Sequence, residues 1–77
     1  MTKDQMRIQH IGMVIKKYRE DRGWNRQELA NYSKVARNTI ANYENMLDGK
    51  GNPSIANLYA LADAFGISVK EFFIDEE

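Results

Sequence analysis

The sequence contains no cysteine, a single histidine (His10) and a single proline (Pro53). Without cysteine there is no disulfide framework and no thiolate metal site. One histidine supplies neither the usual imidazole metal cluster nor a nucleophile–base pair. No apolar run approaches the roughly 18 residues of a membrane-spanning helix. The opening Met1-Thr2-Lys3-Asp4-Gln5 has no apolar stretch of the kind a secretory signal needs. A Gly-rich phosphate loop and paired carboxylates in an apolar setting are also missing, which argues against an enzyme. No cofactor, metal or small-molecule substrate is implied. A cytoplasmic protein that does not engage a membrane is expected.

What is present fits one small domain spanning residues 1–77. Such a domain hides only about 60% of the surface of its unfolded chain, so tight helix packing or a second copy must add stability. With 43% hydrophobic and 29% charged residues the chain is neither disordered nor membrane-embedded. Eleven basic and eleven acidic side chains cancel in total but not in distribution. Residues 1–50 hold ten of the bases against six acids; residues 51–77 hold Lys70 alone against five acids. This asymmetry permits a polyanion-binding face on one side of the molecule. Asp75, Glu76 and Glu77 read as a short solvated acidic tail.

Hydrophobic spacing predicts about five short helices and no strand, an all-α bundle. A first helix runs from Asp4 or Gln5 to Arg22, with Ile8, Ile11, Ile15 and Tyr18 inward and Gly23 as its stop. Asn25-Arg26-Gln27-Glu28 is close to a capping box for a second helix with Leu29, Ala30 and Ser33 on its inner face. Ile40, Tyr43 and Leu47 give the inner stripe of a third, with Gly49 at its end. Ser54 caps a fourth that carries Ile55, Leu58, Leu61, Ala62 and Phe65, ended by Gly66. Ser68-Val69-Lys70-Glu71 reads as a capping box for a last short helix bearing Phe72 and Phe73.

Residues 26–45 have the steric pattern of a helix-turn-helix. Ala30 is small where the two helices cross, Leu29 is apolar before it, and Ile40 and Tyr43 pack from the second helix. The turn position that needs positive φ is Lys34 instead of Gly, at a cost of about 1 kcal/mol. Ala36 stands where the second helix of the unit wants a Ser or Thr cap, a further loss of roughly 1 kcal/mol.

The ordered set Ile11-Gly12-x-x-Ile15-x-x-x-Arg19-x-x-Arg22-Gly23, Asn25-x-x-Glu28-Leu29-Ala30, Thr39-Ile40-x-x-Tyr43-Glu44-Asn45, Asn52-Pro53-Ser54-Ile55-x-x-Leu58-x-x-Leu61-Ala62 and Ile67-Ser68-Val69-x-Glu71-Phe72-Phe73 resembles the lambda-repressor/Cro family of helix-turn-helix proteins, XRE type. The resemblance covers roughly residues 8–74. Met46-Leu47-Asp48 looks inserted relative to the family pattern. Because Leu47 continues the Ile40–Tyr43 stripe, the insertion reads as an added turn at the end of the third helix.

The resemblance implies a sequence-specific regulator of transcription that binds double-stranded DNA. It points to Arg37, Asn38 and Asn42 as base readers and to Asn25, Arg26, Asn45 and Lys50 as backbone contacts. The residues agree: at 100° per residue, Asn38, Asn42 and Asn45 fall opposite the inward stripe, with Arg37 at the helix tip. Arg is bidentate to guanine and Asn to adenine in the major groove. Arg19 and Glu44 resemble the family's internal ion pair, a structural feature. Trp24 reads as a core plug, and Tyr32 as core edge or as a phosphate-facing hydroxyl. One module of this size buries only about 600–1,000 Å² on DNA, so a homodimer on a palindromic operator is expected. Phe72, Phe73 and Ile74 are its expected interface, since a short final helix cannot bury both rings alone. The rival reading is a helical protein-interaction module, or an antitoxin-like partner-binding protein, of the same fold.

Overall fold

A computed structural model describes residues 1–74 of the chain. Four α-helices follow in order: α1 (Lys3–Asp21), α2 (Arg26–Ser33), α3 (Arg37–Glu44) and α4 (Ile55–Phe65), then a 3₁₀ turn over Val69–Phe72. The described residues are helical without strands, as expected, but the expected fifth helix is this single turn. The expected acidic tail of Asp75, Glu76 and Glu77 lies outside the described residues. No helix of the described chain is long and apolar enough to cross a membrane.

Local chemistry sets the boundaries. Thr2 and Gln5 form a reciprocal capping box at 3.1 and 2.8 Å, which starts α1 at Lys3. Gly23, at φ +69°, ends it. Asn25 accepts from the Glu28 N–H at 2.8 Å while Glu28 accepts from the Asn25 N–H at 2.9 Å, the second capping box. Ser54 Oγ caps α4 through the Asn57 N–H at 3.1 Å, and Gly66, at φ +70°, closes that helix. The expected box at Ser68 takes another form. Ser68 Oγ accepts from the Lys70 N–H, and the Glu71 N–H goes to the Ser68 carbonyl. An i→i+3 bond of this kind winds a 3₁₀ turn.

The core draws on every element: Ile11 and Ile15 from α1, Leu29 from α2, Ile40 and Tyr43 from α3, Leu58, Leu61, Ala62 and Phe65 from α4, and Phe72 from the 3₁₀ turn, with Val35 and Met46 added from connecting segments. Burying one such large side chain contributes about 1.5–3 kcal/mol. α1 approaches α3 at Gly12, where a Cβ would run into the Tyr43 carbonyl oxygen.

Two expected core residues are outside it. Leu47 is exposed and Met46 is buried in its place, because α3 ends at Glu44 and the helical phase that put Leu47 inward ends there. The inserted residues form a turn closed by Gly49 N–H to the Met46 carbonyl at 3.1 Å, not an added helical turn. Ile55 is exposed because it opens the first turn of α4, ahead of the core-facing Leu58.

The connection between α2 and α3 is three residues long. Lys34 adopts φ +64°, the sole non-glycine residue at positive φ among those described. Its N–H reaches the Ala30 carbonyl at 2.8 Å, and the Val35 N–H reaches the buried Ser33 hydroxyl at 3.1 Å. These bonds and the burial of Val35 hold the strained turn. Ala36 provides no side-chain cap to α3. Trp24 packs against the core but is not enclosed by it. It stacks on the exposed Tyr32 at 4.5 Å and on Phe65 at 6.3 Å. The Arg22 guanidinium lies over Tyr18, Trp24 and Phe65 and donates to the Phe65 carbonyl, sealing that edge.

Candidate nucleic-acid interface

α3 is held by one side only. Ile40, Tyr43 and Glu44 face the protein and are buried, whereas Arg37, Asn38, Asn42 and Asn45 are exposed and Ala41 is half-buried. The Tyr43 hydroxyl accepts from the Ser54 N–H at 3.2 Å and from Asn57 Nδ2 at 3.0 Å, pinning α3 to the start of α4. None of the three asparagine side chains is engaged by a bond to the protein among the described residues, so their amides are open to an outside partner.

Beneath this face lies the Arg19–Glu44 pair. Arg19 Nε and Nη2 donate to the two carboxylate oxygens at 2.7 and 2.8 Å, and Nη1 donates to the Trp24 carbonyl at 2.8 Å. The Glu44 side chain is wholly buried. Its hydrogen bond holds Arg19 more firmly protonated than usual, against the opposing effect of burial. Arg26 joins the same carboxylate, donating from Nε to Oε1 at 3.3 Å. Nothing in the spacing of Arg26 and Glu44 announces this third partner.

Arg26 and Arg37, from the first turns of α2 and α3, line one surface notch together with Arg19, Asn25 and Gln27. Arg37 makes no bond to protein among the described residues. The N–H groups of Arg26 and Gln27, in the first turn of α2, have no partner within that helix. The Asn25 carbonyl oxygen of the side chain is committed to its cap, which leaves its amide Nδ2 as a donor. Gln27, not singled out from the sequence, donates to Asn31 Oδ1 at 3.0 Å on the rim of this notch. Its position in the first turn beside Arg26 was the available signal.

At the other end of α3, Asn45 is the C-cap and Lys50 is exposed in the loop that follows. The Lys50 N–H bonds Asp48 Oδ1 at 2.9 Å. Gln9 Nε2 donates to the Leu47 carbonyl at 2.9 Å, and Gly49 sits so close over Gln5 that a Cβ would overlap it. The inserted segment therefore lies against the first half of α1, away from the notch residues of α2.

Of the three residues expected to meet a second copy, Phe72 is placed elsewhere. It is 0% exposed and fills the chain's own core, because the 3₁₀ turn directs it inward against α1 and α4. Phe73 and Ile74 are exposed and line a groove with His10, Met13, Val14, Lys17, Tyr18 and Glu71.

Comparison with known proteins agrees with this geometry. The helix-turn-helix family model matches residues 15–72. The competence pilus inhibition repressor of Acinetobacter baylyi (strain ATCC 33305 / BD413 / ADP1) is 38% identical over 64 residues, 83% of this chain. The chain spans 56% of that relative's length. The crystal structure of the restriction-modification controller protein C.AhdI from Aeromonas hydrophila superposes with a TM-score of 0.72 at 26% identity, covering 86% of this chain and 96% of that one. The short three-residue turn, the one-sided hold on α3 and this match over most of the chain lead to one conclusion: the protein belongs to the XRE-type helix-turn-helix family of DNA-binding regulators.

Proposed function

We propose that the protein is a sequence-specific transcriptional repressor that lays α3 in the major groove of a palindromic operator as a homodimer. The observation that carries this reading is the exposed row of Asn38 and Asn42 beside the arginine notch. Free amides read base edges, and guanidinium groups with helix N-termini grip the flanking phosphates. In this reading Arg37, Asn38 and Asn42 contact bases. Asn25, Arg26, Asn45 and Lys50 contact the backbone on the two sides of the groove. The two copies pair in this reading through Phe73 and Ile74, which line an exposed groove with Met13 of α1, and the operator they call for has half-sites about 34 Å apart, one turn of the duplex. The repressor and the controller that this chain resembles support the regulatory role.

Selection from random DNA is the test. It is expected to yield two short inverted half-sites, with affinity that falls steeply as salt rises. Asn42→Ala is expected to lose about 1–3 kcal/mol on the selected site and to relax preference at one position per half-site, with little change on random DNA. Binding that is absent, or indifferent to salt, would favour the protein-interaction reading instead.

A further inference from the structure

We infer that Glu44, besides pairing with Arg19, is a positioning residue for DNA-backbone binding: it fixes Arg26 by its Nε and so presents the two terminal nitrogens of that guanidinium as a fork for one phosphate. This rests on the DNA-binding reading above and goes beyond it, because it assigns how the grip on the backbone is aimed.

Arg26 is the first residue of α2 and its side chain is about one-third exposed, while the Glu44 side chain it touches is fully buried. Only Nε reaches the carboxylate. The terminal nitrogens have no partner among the described residues, and the side chain lines the notch with Asn25, Gln27 and Arg37. A free arginine on a helix surface surrenders rotamer freedom when it binds, whereas one already tied at Nε has surrendered much of it beforehand. A planar fork matches a phosphate bidentately; a lysine ammonium does not.

The notch also carries more positive than negative charge among the groups that line it. Three guanidinium groups line it, and the one carboxylate bonded to them is Glu44. Glu28 directs its carboxylate to the Asn25 N–H. A phosphate bound here meets the unpaired Arg37 and the free terminal nitrogens of Arg26, in a chain whose formal net charge is zero. Local excess of this kind gives a neutral protein a salt-dependent grip on DNA.

The experiment measures affinity against salt, on the selected operator and on random DNA, for the full chain and the variants R26K, R26Q, E44Q and R26K/E44Q. Far-ultraviolet circular dichroism reports the folded fraction, and affinity is expressed per folded molecule. R26Q is expected to weaken both DNAs alike and to lower the salt slope by about one. R26K is expected to keep the slope but bind both DNAs about fivefold to tenfold more weakly, since it keeps the charge and loses the fork. In the E44Q background R26K is expected to cost little more, because the arginine there is no longer aimed. R26K binding as tightly as the unaltered protein overturns the inference, as does an R26K penalty of equal size with and without Glu44. Failure of the unaltered chain to bind any DNA would overturn the DNA-binding reading and this inference with it. The other two results overturn this inference alone.

Discussion

Arg19→Ala is expected to destabilise the fold by about 3–5 kcal/mol, the cost of removing one partner from a buried ion pair. The Glu44 side chain is 0% exposed and Arg19 is 11% exposed, so water does not replace the lost bonds. The carboxylate would keep only the Arg26 contact at 3.3 Å, from a side chain partly in solvent. The Trp24 carbonyl would lose its donor as well. Since a domain's whole stability is about 5–15 kcal/mol, a chain of 77 residues has little left after such a loss. Urea unfolding followed by circular dichroism gives the number. A change below 1 kcal/mol would mean that Arg26 satisfies the carboxylate by itself. Arg19→Met is expected to lose nearly as much while keeping the packing of the stem, which separates stranded charge from lost volume.

Gly12→Ala is expected to be the second large effect, about 2–3 kcal/mol, and to lower Tm by about 10–20 °C. In the middle of a helix the exchange of Gly for Ala ordinarily gains up to about 1 kcal/mol. Here the added methyl meets the Tyr43 carbonyl oxygen, which is backbone and cannot rotate away. α1 and α3 must separate, and the separation also strains the Arg19–Glu44 bonds that cross the same boundary. Differential scanning calorimetry tests the sign directly. A stabilised Gly12→Ala variant would show that the two helices do not approach as described.

The contrast between these sites and others shows which information a single sequence carries. Caps were readable because they are local: Asn25 and Glu28 stand three residues apart and bond each other. The inward residues of α1 and α2 followed from helical spacing. The exposed face of Asn38, Asn42 and Asn45 followed from the same arithmetic applied to α3. Leu47 failed where that arithmetic assumed a helix beyond Glu44, and the chain instead turned to bury Met46. Phe72 and Phe73 are adjacent and chemically identical, and only the direction of the 3₁₀ turn decides that one is core and the other surface. The Arg26–Glu44 contact spans two helices, and no pairwise spacing encodes it.

Lys34 and Ala36 have a consequence for how long the molecule lasts. The left-handed lysine and the uncapped helix that follows it forfeit roughly 2 kcal/mol between them. A deficit of that size multiplies the fraction of opened chains by about thirty. Proteases draw on opened chains, so a protein so constructed is cleared faster than a counterpart with a glycine at the turn and a capped α3.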